Sequence, residues 1–160
     1  MDLTGRVQGF MAMKLKSFSV ELAEKYGVPE NEVADVVGSF LEDTYWPAQK
    51  LAEVISCKKN PVLLFIGKKD CPICQRCQVD LDAFLSSHKD LELIRVDYTT
   101  PEGLLYHMIQ QQDTGKLPMI AMIYGGMITM FITGECIHSA VYEKYYNALR
   151  MQGSQNIYAL

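Results

Sequence analysis

The sequence predicts an α/β domain, a mixed sheet flanked by helices, behind an all-helical N-terminal segment. Two observations carry this reading. Near Lys58-Lys59-Asn60-Pro61 the apolar pattern switches from helical spacing to short strand-like runs. Beyond that point strand and helix patterns alternate in the order βαβαββα, a parallel portion followed by an antiparallel hairpin.

Ahead of the switch, residues 17–57 carry eight acidic and two basic side chains. Phe18, Leu22 and Tyr26 repeat at four-residue spacing, and Gly27 marks a stop. Pro29 suits a first helical turn, and Val33, Val36, Val37, Phe40 and Leu41 form an apolar stripe behind it. Pro47 is expected to interrupt that helix, with Ala48, Leu51, Ala52 and Ile55 making a third short one. Residues 1–16 read as a poorly ordered leader, with Met11 and Met13 as later candidate starts. The domain reading is a leader over 1–16, a helical extension over 17–47, the α/β domain over 48–151 and a tail over 152–160.

After Pro61, residues 62–66 read as a buried strand. Residues 72–88 read as a helix with Cys74, Cys77, Leu81, Phe84, Leu85 and His88 along one face. Residues 91–97 alternate as a strand, and 101–112 read as a helix. The runs 119–124 and 127–133 are strands joined by Gly125-Gly126, a two-residue hairpin signal. Residues 137–151 close as a helix, with Val141, Tyr145 and Leu149 at four-residue spacing.

At 160 residues, with 49% hydrophobic and 21% charged side chains, the chain suits one folded domain. A net charge of −4 argues against a general nucleic-acid binder. The stretch Glu21 to Pro29 superficially resembles a helix-turn-helix, but residues 30–43 carry only acidic charges, which a DNA-reading helix cannot. A packed cap, or a surface for a partner or a second subunit, fits these helices better. Glycine or charge breaks every apolar stretch short of a membrane span. The start, Met1 to Arg6, lacks a basic-then-apolar secretory signal, so a cytoplasmic location is expected. Five cysteines are then an odd set for a disulfide framework, and catalytic or metal-binding thiols are the better expectation. The nine methionines are scattered on apolar faces and read as core filling.

The chemistry concentrates at Cys71-Pro72-Ile73-Cys74, directly after the apolar run 62–66 and at the opening of a helical pattern. Thiols three residues apart at a helix start lie on one face and can reach each other. The free N–H groups and dipole of the helix end favour a thiolate on the first. Strand, Cys-x-x-Cys, helix is a redox arrangement.

That order resembles the thioredoxin superfamily over about residues 48–151. Two further features carry the resemblance: Lys116-Leu117-Pro118 directly before the third strand, and Gly134 sixteen residues beyond Pro118. The resemblance implies a thioredoxin-like fold, a cis proline at 118 facing the dithiol, and thiol–disulfide oxidoreductase activity. It implies Cys71 as nucleophile and Cys74 as resolving thiol. Pro72, Ile73, Leu117, Pro118 and Gly134 would border the segment of client held by strand-like pairing. The implied partners are disulfide-containing client proteins and a reductase as electron donor. No organic cofactor is required.

Departures make the implied site atypical. Asp70 precedes the motif where thioredoxins have tryptophan, and it opposes the help that Lys68 and Lys69 give a thiolate. Phe65 and Leu93 occupy the positions of the buried acid and its lysine, so deprotonation of Cys74 must use water or another group. Cys-Pro-x-Cys is similar to glutaredoxins, but Gly125-Gly126 sits in the hairpin rather than after the last strand, which does not imply a glutathione site.

Cys77 continues the spacing to Cys71-x-x-Cys74-x-x-Cys77. Zinc or an iron–sulfur cluster on these three is the competing reading, though a continuous helix spreads the sulfurs over two turns and a fourth ligand is lacking nearby. Cys77 otherwise reads as a small buried apolar residue, or as a second resolving thiol for Cys74. Cys136, two residues past Gly134, reads as an isolated, partly buried thiol or an auxiliary one. Cys57 and the histidines 88, 107 and 138 receive no role. A third reading is a non-catalytic adaptor that binds through its N-terminal helices.

Overall fold

The computed structural model describes residues 1–112 and 114–157, beyond Met151 by backbone alone. It opens on two long helices, α1 (Leu3–Tyr26) and α2 (Glu30–Ser56). The leader expected over 1–16 is instead the first half of α1. Asp2 caps the helix by accepting from the Gly5 N–H, and Leu3, Val7 and Phe10 bury one stripe at i, i+4, i+7. The segment ahead of α1 is bound as well: the Leu3 N–H donates to Gly126 O at 2.9 Å and the Ile128 N–H to Met1 O at 2.7 Å. Gly27, at φ 64°, ends α1 in the left-handed conformation.

Pro47 does not interrupt α2. It has no N–H for the carbonyl of Asp43, yet Val37 and Leu41 on one side and Ala48, Ala52 and Ile55 on the other bury one stripe. That burial outweighs a single lost hydrogen bond. The boundary expected between 47 and 48 therefore falls inside a continuous helix.

The sheet has the order β2-β1-β3-β4, built from β1 (Val62–Gly67), β2 (Glu92–Asp97), β3 (Met119–Tyr124) and β4 (Met127–Thr133). β1 pairs parallel with β2 and antiparallel with β3, which pairs antiparallel with β4. Between β1 and β2 runs α3 (Pro72–Ser87). Between β2 and β3 lie a 3-10 turn (Pro101–Leu104) and a short α4 (Leu105–Gln110), where one helix over 101–112 was expected. The last helix, α5 (Ser139–Ile157), extends into the expected tail; residues 158–160 of that tail lie outside the described residues. Its buried stripe is Tyr142, Tyr146 and Leu149, with Val141 and Tyr145 half-buried beside it.

Strand alternation divides the core into two layers. Val62, Leu64, Ile66, Met119, Ala121 and Ile123 face α1, α2 and α4; Leu63, Phe65, Ile120 and Met122 face α3 and α5. The N-terminal helices thus share a core with the sheet rather than standing apart from it. On their outer side Tyr26, Val36, Phe40 and Trp46 are exposed, and Phe18, Leu22, Val36 and Phe40 line a cavity of about 390 Å³. No described helix is long and apolar enough to cross a membrane. A mixed sheet with helices on both faces, entered through a helical N-terminal region, is a thioredoxin-like architecture.

Candidate active site

β1 delivers its last residue, Gly67, to the turn that starts α3. A Cβ at Gly67 would stand 3.1 Å from Cys74 Sγ and 2.8 Å from the Phe65 ring, so strand end and helix start touch here. The turn is held by the Gln75 side-chain amide, which donates to Lys69 O at 2.9 Å. Lys68 Nζ stands 3.6 Å from Asp70 Oδ1, so the carboxylate draws one of the two nearby ammonium groups to itself.

Cys71 is the N-cap of α3, with Pro72 in the first turn, where its missing N–H costs nothing. The Cys74 N–H donates to Cys71 Sγ at 3.1 Å. A residue in the N-cap position ordinarily offers an oxygen to this donor; here it offers sulfur. The two sulfurs are joined as a disulfide, with Cα atoms 5.2 Å apart. Both are buried, Cys71 8% exposed and Cys74 5%.

Leu117–Pro118, a cis peptide bond, lies immediately before β3. Leu117 and Ile73 pack against the apolar cluster that contains both cysteines. Pro118 O accepts from the Gly134 N–H at 2.9 Å. Gly134 sits at φ 76°, and a Cβ there would lie 2.4 Å from the Cβ of Lys116. Tyr106 holds the segment just ahead: its hydroxyl donates to Lys116 O at 3.0 Å. Burial pushes its pKa up, which keeps the phenol a donor. Residue order alone did not point to Tyr106, because α4 approaches this segment only in the folded chain.

Beneath the motif, Phe65 occupies the buried position on β1 and Arg95 stands opposite it in register, its guanidinium 5.4 Å from the ring centroid. Arg95 also donates to Gln78 Oε1. Leu93 is partly buried against the same cluster. Phe65, Gly67, Lys69, Cys74, Arg95 and Asp97 border an open cavity of about 460 Å³ that reaches the inner cysteine. Hydrogen bonds from Thr99, and then the charge of Lys68, hold the Asp97 carboxyl below its usual range.

Cys77 and Cys136 are joined as a second disulfide across 59 residues, with Cα atoms 4.8 Å apart. Cys136 is exposed, whereas Cys77 is 1% exposed. Cys136 is therefore not an isolated thiol, and a disulfide framework is present where none was expected. The pairing commits the Cys77 sulfur to Cys136, so Cys71, Cys74 and Cys77 are not three free thiolates that could hold a metal. Cys136 Sγ lies 3.5 Å from Ile73 O, which sets the Gly134–Cys136 loop over the motif. Two sequence positions held the signal: Cys77 on the face of Cys74, and Cys136 beside a glycine already expected at the site. Cys57, exposed at the end of α2, is free and distant in role.

Fold and site define a Cys-x-x-Cys-bearing thioredoxin-like domain. No family model and no curated protein matches the chain. Among solved structures it is similar to Trxlp from Edwardsiella tarda, at 20% identity over 60% of this chain and 91% of that one, with a TM-score of 0.48. It is similar to thioredoxin O2 from Arabidopsis thaliana in its oxidized state, at 16% identity over 64% and 88%, TM-score 0.47. A third is the oxidised thioredoxin of Plasmodium falciparum, at 13% identity over 62% and 89%, TM-score 0.46. These likenesses concern the fold.

Proposed function

We propose that this protein is a thiol–disulfide oxidoreductase that reduces protein disulfides through Cys71 and Cys74. The observation that carries the reading is the Cys71 sulfur at the start of α3, aimed at by the Cys74 N–H and paired with Cys74. In the reduced protein the same N–H and the helix end stabilise a thiolate on Cys71. That thiolate attacks one sulfur of a client disulfide. A Cys71–client bond forms, and the client's other sulfur leaves as a thiolate and takes up a proton.

Cys74 then attacks Cys71 Sγ, forming the intramolecular disulfide and releasing the second client thiolate. Its proton passes to water through the cavity beside Cys74, since Phe65 offers no carboxylate. An extended client segment would lie along the exposed Pro72 and half-buried Ile73, against half-buried Leu117. The client is a protein that carries an accessible disulfide, and a dithiol reductant restores the pair. In a reducing compartment, the cytoplasm on this reading, exchange runs toward client reduction.

Trapping tests the proposal. Cys74→Ser should accumulate a mixed disulfide on Cys71 when the protein meets oxidised insulin, and Cys71→Ala should form none. A folded Cys74→Ser protein that leaves insulin disulfides intact and forms no Cys71 adduct would sink the reading.

A further inference from the structure

Four of the five cysteines lie in two disulfides that are contiguous along one helix, and their exposure is opposite. Cys71 at the N-cap, then Cys74 and Cys77 inside α3, follow at three-residue steps on its buried face. Cβ atoms at that spacing in a helix stand about 5–6 Å apart and must close by about 1 Å for a disulfide, while the Cα atoms, about 5 Å apart, are already within its range. That is close to the 5.2 Å and 4.8 Å of the two bonds present. Among these four sulfur-bearing residues only Cys136 is exposed. It also sits against the carbonyl of Ile73, in the middle of the motif.

We infer that Cys77–Cys136 is a second redox couple that relays electrons from an external dithiol to Cys71–Cys74. The inference rests on the oxidoreductase reading above and supplies the route of its regeneration. The steps balance without another reactant. A thiolate of the external dithiol attacks exposed Cys136, and Cys77 leaves as a thiolate. The second thiol of the reductant attacks the mixed disulfide, departs as a cyclic or intramolecular disulfide, and frees Cys136 as a thiolate. Cys77 attacks Cys74 Sγ one turn away, forming Cys74–Cys77 and releasing Cys71. Cys136 then attacks Cys77, restores Cys77–Cys136 and releases Cys74.

In sum the reductant loses two electrons and two protons, and the Cys71/Cys74 dithiol gains them. The first sulfur attacked, Cys136, is the accessible one, and Cys71, which departs when Cys77 attacks Cys74, is received by the Cys74 N–H at the helix end. A bridge serving only as a staple would explain the link between α3 and the Gly134 loop. It would not explain why Cys77 occupies the next turn after Cys74 on the same face.

Two measurements on the full chain test the relay. In the first, doubly oxidised wild type and Cys77→Ala/Cys136→Ala are reduced with dithiothreitol, quenched with iodoacetamide and mapped by peptide mass spectrometry. The relay requires Cys71–Cys74 to open at least about tenfold more slowly in the variant; equal or faster opening overturns it. In the second, Cys71→Ser/Cys136→Ser is oxidised with diamide, which should yield the intramolecular Cys74–Cys77 disulfide. A folded protein that keeps both thiols free, while its urea-unfolded form closes the bond, overturns the relay independently. The oxidoreductase reading fails on a different result, the missing Cys71 adduct in the trapping experiment.

Discussion

The backbone N–H of Cys74 lies 3.1 Å from the sulfur of Cys71, so the second cysteine of the motif also solvates the first. Helix starts attract anions through such N–H groups and the aligned peptide dipoles. In the reduced protein Cys71 should therefore react with iodoacetamide at about pH 6.5 several-fold faster than in the urea-unfolded chain. Site-resolved alkylation kinetics check this. A folded-state rate no higher than the unfolded one would mean that burial of Cys71 outweighs the helix end.

Gly134 and Lys116 meet across the ends of β3 and β4, and the contact leaves no room for a side chain. Gly134→Ala places a Cβ 2.4 Å from Lys116 Cβ at a φ of 76°. Left-handed backbone and overlap together should cost about 2–3 kcal/mol. The strain falls on the Gly134 N–H bond to Pro118 O, so the Leu117–Pro118 segment should shift. A urea midpoint gives the stability loss, and insulin reduction should fall with it. Unchanged stability would show that the loop relaxes freely.

The strand and helix pattern after Pro61 was legible because periodicity reports burial directly. Val62 to Ile66 is apolar without a break since β1 is buried on both faces, and Cys74, Cys77, Leu81 and Phe84 do share one side of α3. Cys71-Pro72-Ile73-Cys74 was legible because its spacing suits a helix start. The Cys77–Cys136 bond was not, since a pair 59 residues apart is decided by how α3 and the β4–α5 loop come together. Pro47 misled for a similar reason: local propensity predicted a break, and a stripe spanning Val37 to Ile55 overrode it. The stripe Leu3, Val7, Phe10 was present in the sequence, with Asp2 as cap. Gly5 and Gly9 lowered its helical appearance, and the sheet face that buries it could not be read from residues 1–16.

Phe10 is 1% exposed and stands edge-on to Tyr45, with ring centroids 5.2 Å apart, joining α1 to α2. Phe10→Ala should cost about 3–5 kcal/mol, as a large cavity in a well-packed core does. The disulfides are untouched, so the change should lower the urea midpoint without altering the Cys71–Cys74 pairing. A loss under about 1 kcal/mol would mean that α1 rests on the sheet without holding it.

Tyr146 joins the first half of α5 to the turn before β2 by donating its hydroxyl to Asp90 Oδ2. That bond is the leading cause of a lowered Asp90 pKa; burial leads in raising that of Tyr146, so the phenol keeps its proton at neutral pH. A carboxyl lowered in the folded state stabilises the fold above its unfolded value, near 3.8, and that contribution fades as pH falls through the folded value. Tyr146→Phe should cost about 1 kcal/mol at pH 7. The difference from wild type should shrink below the ordinary carboxylate range, where Asp90 is protonated in both folded and unfolded chains. Urea unfolding of both proteins at neutral and acidic pH measures it. A penalty that stays constant down to acid pH would place the effect in packing against Phe84 and His88, whose rings also contact Tyr146, rather than in the charge of Asp90.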